Sequence, residues 1–351
     1  MSEKIDVKSL NEEELTLLIK EMGIPAFRAK QIWHQLFFNL KTDFSEMSDI
    51  PKSLVPTLEE RFEIRAPKVL DKLVSKLDGT EKYLFTLYDG SIIESVLMRY
   101  EHGNSVCVST QVGCRQGCQF CASTKNGFVR GLSAGEILGQ IEAITREHKE
   151  EADFRVDNIV LMGIGEPLDN YDNVIKFLHL VNDKNGLNIG YRHISLSTCG
   201  LVDGILKLAE ENLPITLSIS LHAPNDEIRD TIMPVNHRYP MDTLLDACRK
   251  YQSVTGRRIS FEYALIDSVN NSVENARELA KRLRGIMCHV NLIPVNPIKE
   301  KNFKKSTKND LILFTNELNK SKINATVRRR LGADIDAACG QLRNKRMKER
   351  V

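Results

Sequence analysis

The stretch SVCVSTQVGCRQGCQFC, residues 105–121, joins an apolar run of strand length to a loop crowded with cysteine. Similar runs recur after it: DNIVLMG (157–163), HISLST (193–198), ITLSISLH (215–222), RISFEYALI (258–266), CHVNLIP (288–294) and INATVRR (323–329). Amphipathic stretches of helix length lie between them, near 133–148, 170–182, 201–211, 241–254, 273–284 and 309–320. The first of these opens with Ser133 and Glu136 at capping-box spacing. Nearly continuous apolar strands separated by helices predict a parallel sheet covered by helices, an α/β fold. Periodicity leaves open whether this sheet closes partly into a barrel or opens into a doubly wound sheet.

Moving outward toward the N-terminus, KYLFTLYDGSIIESVLMRY (82–100) and NSVCVSTQ (104–111) alternate in strand fashion around a Tyr-Asp-Gly turn. They predict a hairpin linking two larger parts. Residues 1–65 read as helical instead. Asn11 is placed to cap NEEELTLLIKEMG (11–23), and FRAKQIWHQLFF (27–38) carries a second apolar period before Pro51 and Pro56. The expected organisation is a helical unit over 1–65, a β-hairpin region over 66–104, a core over 105–332 and a C-terminal segment over 333–351. At 351 residues the chain exceeds the ~150-residue prior for one domain, which suits such a division.

The composition is 42% hydrophobic and 27% charged, and no apolar run approaches the ~20 residues of a membrane span. The opening MSEKIDVKSLNEEEL has neither the order of a signal peptide nor the acid-poor character of a transit peptide, so a cytoplasmic location is expected. The formal net charge is +2, but nine basic and three acidic residues from Lys322 onward give that segment +6 and leave −4 on the remainder. Phosphate contacts respond to local charge, so a nucleic-acid partner stays open. Arg328, Arg329 and Arg330 read equally as RNA contacts or as a solvated strand end. The RNKRMKER tail (343–350) reads as a mobile basic arm.

Cysteine chemistry is the sharpest signal. Cys114, Cys118 and Cys121 are spaced C-x3-C-x2-C, with Gly113 and Gly117 to let the loop turn. Three thiolates can hold a [4Fe–4S] cube while leaving one iron open to a small ligand. Zinc competes, because Cys107 would complete a closed four-thiolate site. Zinc sites more often pair two C-x2–4-C units across a longer loop, so the crowded spacing favours a cluster. A second distinctive segment is GADIDAACGQL (332–342), where small neighbours leave the Cys339 sulfur uncrowded. Read alone, Cys339 is a small buried hydrophobe. Cys199, Cys248 and Cys288 read as core residues.

C-x3-C-x2-C with Phe120 before the third cysteine resembles the signature of radical S-adenosylmethionine enzymes. CVSTQVGC (107–114), that loop, MGIGEPLDN (162–170), LSISLHAPNDEIRD (217–230), NLIPVNP (291–297) and DIDAACGQL (334–342), in this order, resemble the dual-specificity adenine-C2 methyltransferases of 23S ribosomal RNA and tRNA. The likeness spans nearly the whole chain. It implies a partial (β/α)6 TIM-like barrel with an N-terminal helical accessory domain that contacts RNA. It also implies a [4Fe–4S] cluster on Cys114, Cys118 and Cys121, with S-adenosylmethionine chelating the open iron. Gly165, Glu166, Ser197, Ser220, Leu221, His222 and Asn296, all at strand ends, would surround that cofactor, with Glu166 receiving its ammonium.

By the same resemblance, Cys339 is first methylated by one S-adenosylmethionine. A deoxyadenosyl radical from a second abstracts hydrogen from the S-methyl group, and the carbon radical adds to C2 of an adenine. Glu94 then accepts the C2 proton, and Cys107 resolves the adduct through a transient disulfide with Cys339. This order of events meets a physical difficulty, since C2 of adenine is electrophilic and has no lone pair with which to attack a methylsulfonium. Without the resemblance, Glu94 reads as an exposed strand glutamate. The implied targets are an adenosine of the peptidyl-transferase region and the adenosine 3′ of the anticodon, each reached outside a duplex stack. A flavodoxin or ferredoxin is the expected electron donor, and a monomer the expected state. The competing readings are the sister branch that methylates C8 of the ribosomal adenosine, a non-catalytic zinc protein that binds RNA, and a radical enzyme acting on a small molecule.

Overall fold

A computed structural model of the chain describes residues 4–125, 127–296 and 303–337. The helical unit begins with β1 (Ile5–Asp6) and contains α1 (Glu12–Glu21), α2 (Phe27–Phe37) and α3 (Val55–Arg61), closing with β2 (Phe62–Glu63) paired parallel to β1. Asn11 and Glu14 form a reciprocal capping box at the start of α1. Four strands follow: β3 (Lys68–Val74), β4 (Glu81–Thr86), β5 (Ile92–Tyr100) and β6 (Gly103–Cys107). They form an antiparallel meander, so the linking region is larger than the hairpin read from the sequence. β3 escaped notice because it is a charged, largely exposed edge strand, Lys-Val-Leu-Asp-Lys-Leu-Val, without clean alternation.

After the short antiparallel pair β7 (Gln111–Gly113) and β8 (Phe128–Gly131), strands and helices alternate. The strands are β9 (Val156–Leu161), β10 (Ile194–Thr198), β11 (Thr216–Ser220), β12 (Ile259–Leu265), β13 (Cys288–Pro294) and β14 (Ala325–Val327). The helices are α4 (Ala134–Glu147), α5 (Tyr171–Asn182), α6 (Val202–Glu211), α7 (Asp226–Ile232), α8 (Met241–Thr255), α9 (Val273–Arg282) and α10 (Lys308–Lys320). Of these, the short α7 was not anticipated. Side-chain caps from Ser133, Asn225, Ser272 and Thr307 start α4, α7, α9 and α10.

One sheet of ten strands unites the two patterns, in the order β14-β13-β12-β11-β10-β9-β6-β5-β4-β3. β6 is the hinge between them, antiparallel to β5 on one side and parallel to β9 on the other. From β6 to β14 every pairing is parallel, so helical crossovers join seven parallel strands. The order is linear, with β3 and β14 at its edges, which makes the barrel partial. β12 is buried along its whole length, as a strand covered on both faces must be. No helix among the described residues is long and apolar enough to cross a membrane.

The helical unit is fastened to α4 by a buried charge. Lys8, 2% exposed, places Nζ 2.6 Å from Glu142 Oε1, donates to the Leu36 carbonyl at 2.8 Å and lies 4.1 Å from the centre of the Phe37 ring. Burial draws its amine below the usual lysine value, and Glu142 opposes that shift. Nearby, the Ser9 hydroxyl accepts from the Gly135 N–H in the first turn of α4.

Candidate functional site

The cysteine loop grows out of β7 and is closed at its base by the Cys114 N–H donating to the Gly127 carbonyl. Gly113 is required there: its φ is +76°, and a Cβ would lie 1.8 Å from the Gly127 oxygen. The loop holds Cys114, Cys118 and Cys121 around one cavity of about 1030 Å³, including its open mouth. Burial pushes the Cys114 thiol up to about 12 and raises those of Cys118 and Cys121. Left to themselves the thiols stay protonated, and metal coordination is what deprotonates such groups.

Among the described residues, no three His, Cys, Asp or Glu side chains are placed to hold a single metal ion. The three thiols of this loop face one cavity. Three cysteines on one loop are a donor set that suits a [4Fe–4S] cube with one iron left open.

Opposite the loop, the C-terminal ends of the parallel strands complete the wall. Gly165, Glu166, Ser197, Ser220, His222 and Asn296 all line the same cavity. Leu221 does not; its side chain is buried beneath, and its N–H donates to the Glu262 carbonyl. Gly165 takes φ +109° and passes so close to Gln111 that a Cβ would lie 2.6 Å from the glutamine Cβ. Gln111 in turn accepts from the Glu166 N–H at 2.9 Å and donates to Asp169, which also pairs with Arg115 of the cysteine loop. The loop and the Gly165–Glu166 turn are thereby tied together.

Burial raises the Glu166 carboxyl, opposed by the Cys199 and Leu168 N–H groups that donate to its two oxygens at 2.8 and 3.1 Å. The side chains of Thr198 and Cys199 also hydrogen-bond to this carboxylate. His222 is buried in a left-handed conformation, φ +56°. Its carbonyl accepts from Asn270 Nδ2 and its Nδ1 accepts from the Ala264 N–H, which leaves the ring proton on Nε2. Burial and then the charge of Arg229 push His222 down to about 3, so it acts as a neutral donor.

A second chamber of about 640 Å³ adjoins the first, and Met162, Ile293, Asn296 and Arg328 line both. It contains Cys107, whose neighbours Val96, Ile164 and Ala337 form a small apolar cluster distinct from the main core. Cys339, its expected disulfide partner, lies outside the described residues, as does the basic tail. Ala337, two residues before Cys339, lines this chamber.

The segment leading there is anchored on the meander. Asp334 accepts from Ser75 Oγ and the Lys76 N–H, Asp78 accepts from the Gly332 N–H, and Lys82 Nζ donates to the Asp336 carbonyl. Glu94 is only 2% exposed and lies 3.9 Å from Lys82 Nζ, so it is not the exposed strand residue its sequence context suggests. It sits on the same face of β5 as Val96, one pleat from the chamber wall.

Several site residues carried no sequence signal. Glu262, buried in mid-strand, reaches the first cavity and holds Arg328 Nη1 at 3.4 Å, turning that arginine inward against Met162 Sδ. Arg329 and Arg330 are exposed at the rim of the second chamber. Cys248 is core, whereas Cys199 lines the first cavity with its thiol pushed up by burial and by Glu166.

Residues 108–283 match the family model for the Radical SAM superfamily, and residues 5–64 match that for a ribosomal RNA large subunit methyltransferase N-terminal domain. A probable dual-specificity RNA methyltransferase RlmN of Clostridium novyi (strain NT) is 56% identical over 317 residues, 90% of this chain and 91% of the relative. A protein described in the same words from Lachnoclostridium phytofermentans is 52% identical over 98% of this chain and 95% of its own. The crystal structure of a radical SAM methyltransferase from Sphaerobacter thermophilus superposes with a TM-score of 0.93 at 43% identity, covering 97% of this chain and 99% of that one.

Proposed function

Since the chain belongs to the RlmN family of radical SAM RNA methyltransferases, we propose that it methylates C2 of adenosine in 23S rRNA and tRNA, with a protein cysteine carrying the methyl group. The observation that carries this reading is the shared wall between a three-cysteine cavity and a chamber containing Cys107. Radical generation and base modification then occupy adjoining spaces separated by a few side chains.

In this reading Cys114, Cys118 and Cys121 hold a [4Fe–4S] cluster. Glu166 receives the ammonium of S-adenosylmethionine, and Gly165, Ser197, Ser220, His222 and Asn296 bound its remaining surface, with Leu221 behind them as packing. When bound, cluster and S-adenosylmethionine together supply a one-electron cleavage whose carbon radical takes hydrogen from a methyl group. Cys339 brings that methyl group, and its sulfur-bound carbon is the atom that bonds to C2 of the base. Glu94 takes the C2 proton onto a carboxylate kept from water by its burial. Cys107 attacks the Cys339 sulfur to free the product. The helical unit over residues 1–65 and the arginines at the chamber rim contact RNA, and a flavodoxin or ferredoxin supplies electrons.

Nucleoside mass spectrometry of 23S rRNA and tRNA from cells with and without the gene tests the proposal. Loss of 2-methyladenosine from both RNAs is the expected result. Loss of 8-methyladenosine with 2-methyladenosine unchanged would assign the chain to the C8 branch.

A further inference from the structure

Beneath the first cavity lies a cation that none of the roles above uses. Arg229, on α7, is 0% exposed. Its Nε donates to the Leu221 carbonyl at 3.1 Å and Nη1 donates to Asn236 Oδ1 at 2.8 Å. Nη2 donates to the Cys199 carbonyl at 2.7 Å and the Ser220 carbonyl at 3.3 Å. All four acceptors are neutral. Asp226 and Asp230 stand one residue removed, accepting from Asn236 Nδ2. A guanidinium does not give up its proton in a protein, and a buried charge without a partner is strongly unfavourable. Hydrogen bonding to three turn carbonyls could have been achieved by a neutral side chain or by backbone N–H groups. The charge itself therefore calls for an explanation.

The cysteine loop supplies one. It rests directly on α7, since the Gln119 N–H donates to the carbonyl of Ile232, the last residue of that helix and one turn beyond Arg229. Arg229 is close enough to act electrostatically on Cys118, Cys199 and His222. Three thiolates on a [4Fe–4S] core form a net anionic assembly in a site from which water is largely excluded, where charge is weakly screened.

We propose that Arg229 is the buried countercharge of the three-thiolate cluster, balancing it from beneath and setting how firmly it is held. This rests on the cluster reading of Cys114, Cys118 and Cys121. It makes Arg229 a positioning residue, because the residue touches turn carbonyls and neither substrate nor cofactor.

The test uses the full chain, anaerobically loaded with iron and sulfide, as wild type, Arg229→Met and Arg229→Lys, with iron release to an excess of chelator as the readout. Breaking a buried charge pairing predicts release at least about tenfold faster in Arg229→Met. Arg229→Lys, which keeps a cation but loses the planar fork, should fall between the two. The rise in melting temperature on loading should shrink more in Arg229→Met than in Arg229→Lys. If Arg229→Met does not fold, Arg229→Gln, which keeps hydrogen-bond donors for the carbonyls without the charge, should show the same acceleration. Equal release from wild type and the charge-neutralised variant would overturn the inference, as would Arg229→Lys failing like Arg229→Met. A wild-type chain that takes up no iron under these conditions would defeat the underlying cluster reading instead.

Discussion

In the parallel half of the sheet, most residues around the three-cysteine cavity sit at or just past strand ends: Glu166 follows β9, Ser197 lies near the end of β10, Ser220 ends β11 and His222 follows it. In the antiparallel half, Glu94 and Val96 lie on the flat of β5, with Cys107 paired to Val96 at the end of β6, and the segment anchored through Asp334 and Gly332 packs against that region. Strand ends place groups through turns whose backbone can adapt to a ligand. A strand face places them at fixed 2-residue intervals and leaves the covering layer to decide which are buried. One half thus suits cofactor binding, and the other suits a reaction that needs a carboxylate and a thiol at a set spacing beside a closing segment.

The sharpest separation of the halves comes from two cysteine variants. Cys118→Ala should reduce iron from about four per chain to a small fraction of one and abolish methyl transfer, because two thiolates cannot retain the cube. Cys339→Ala should abolish transfer equally while iron remains. Iron loss in both variants would mean the two halves are not independent. Next in size, Cys107→Ala should keep its iron and accumulate a covalent protein–RNA species resistant to denaturing electrophoresis. Free, fully methylated RNA at the normal rate would remove Cys107 from the scheme.

Glu94→Gln should slow product formation by about 10²–10⁴, the usual worth of a positioned base, with iron content unchanged. A rate within twofold of wild type would make Glu94 structural, a partner for Lys82. The smallest effect belongs to the cofactor half. Folded His222 stays neutral down to about pH 3, whereas in the unfolded chain it takes a proton near pH 6.5. Between those values the unfolded state binds more protons, so stability falls as pH drops below about 6.5 and is complete above it. Over two pH units this amounts to about 2–3 kcal/mol. His222→Asn, which tolerates the left-handed backbone, should lack that slope in denaturant titrations at pH 6.5 and 4.5.

The same contrast explains what could be read in advance. Cys-rich and Gly-rich turns at strand ends use residue types that are rare together, so the cysteine loop, Gly165–Glu166 and Ser220–His222 stood out, and the alternation behind them gave the parallel strands. Glu262 and Arg229 did not stand out. One is a single acid inside the apolar strand RISFEYALI, and the other sits among the charges of NDEIRD, where a solvated helix face is the ordinary reading. Only tertiary contacts make them interior. Glu94 is legible only through family likeness, because no local pattern predicts that a strand glutamate will be buried beside a lysine.

The Lys8–Glu142 contact bears on how this molecule is divided. Residues of the helical unit such as Val7, Trp33 and Phe37 share one apolar cluster with Ile137 and Ile141 of α4. Deleting the unit would therefore bare the Glu142 carboxylate and the apolar face of α4 to water together. A shortened version of the chain retaining only the sheet is expected to carry an exposed apolar patch on its first crossover helix, and with it a tendency to aggregate.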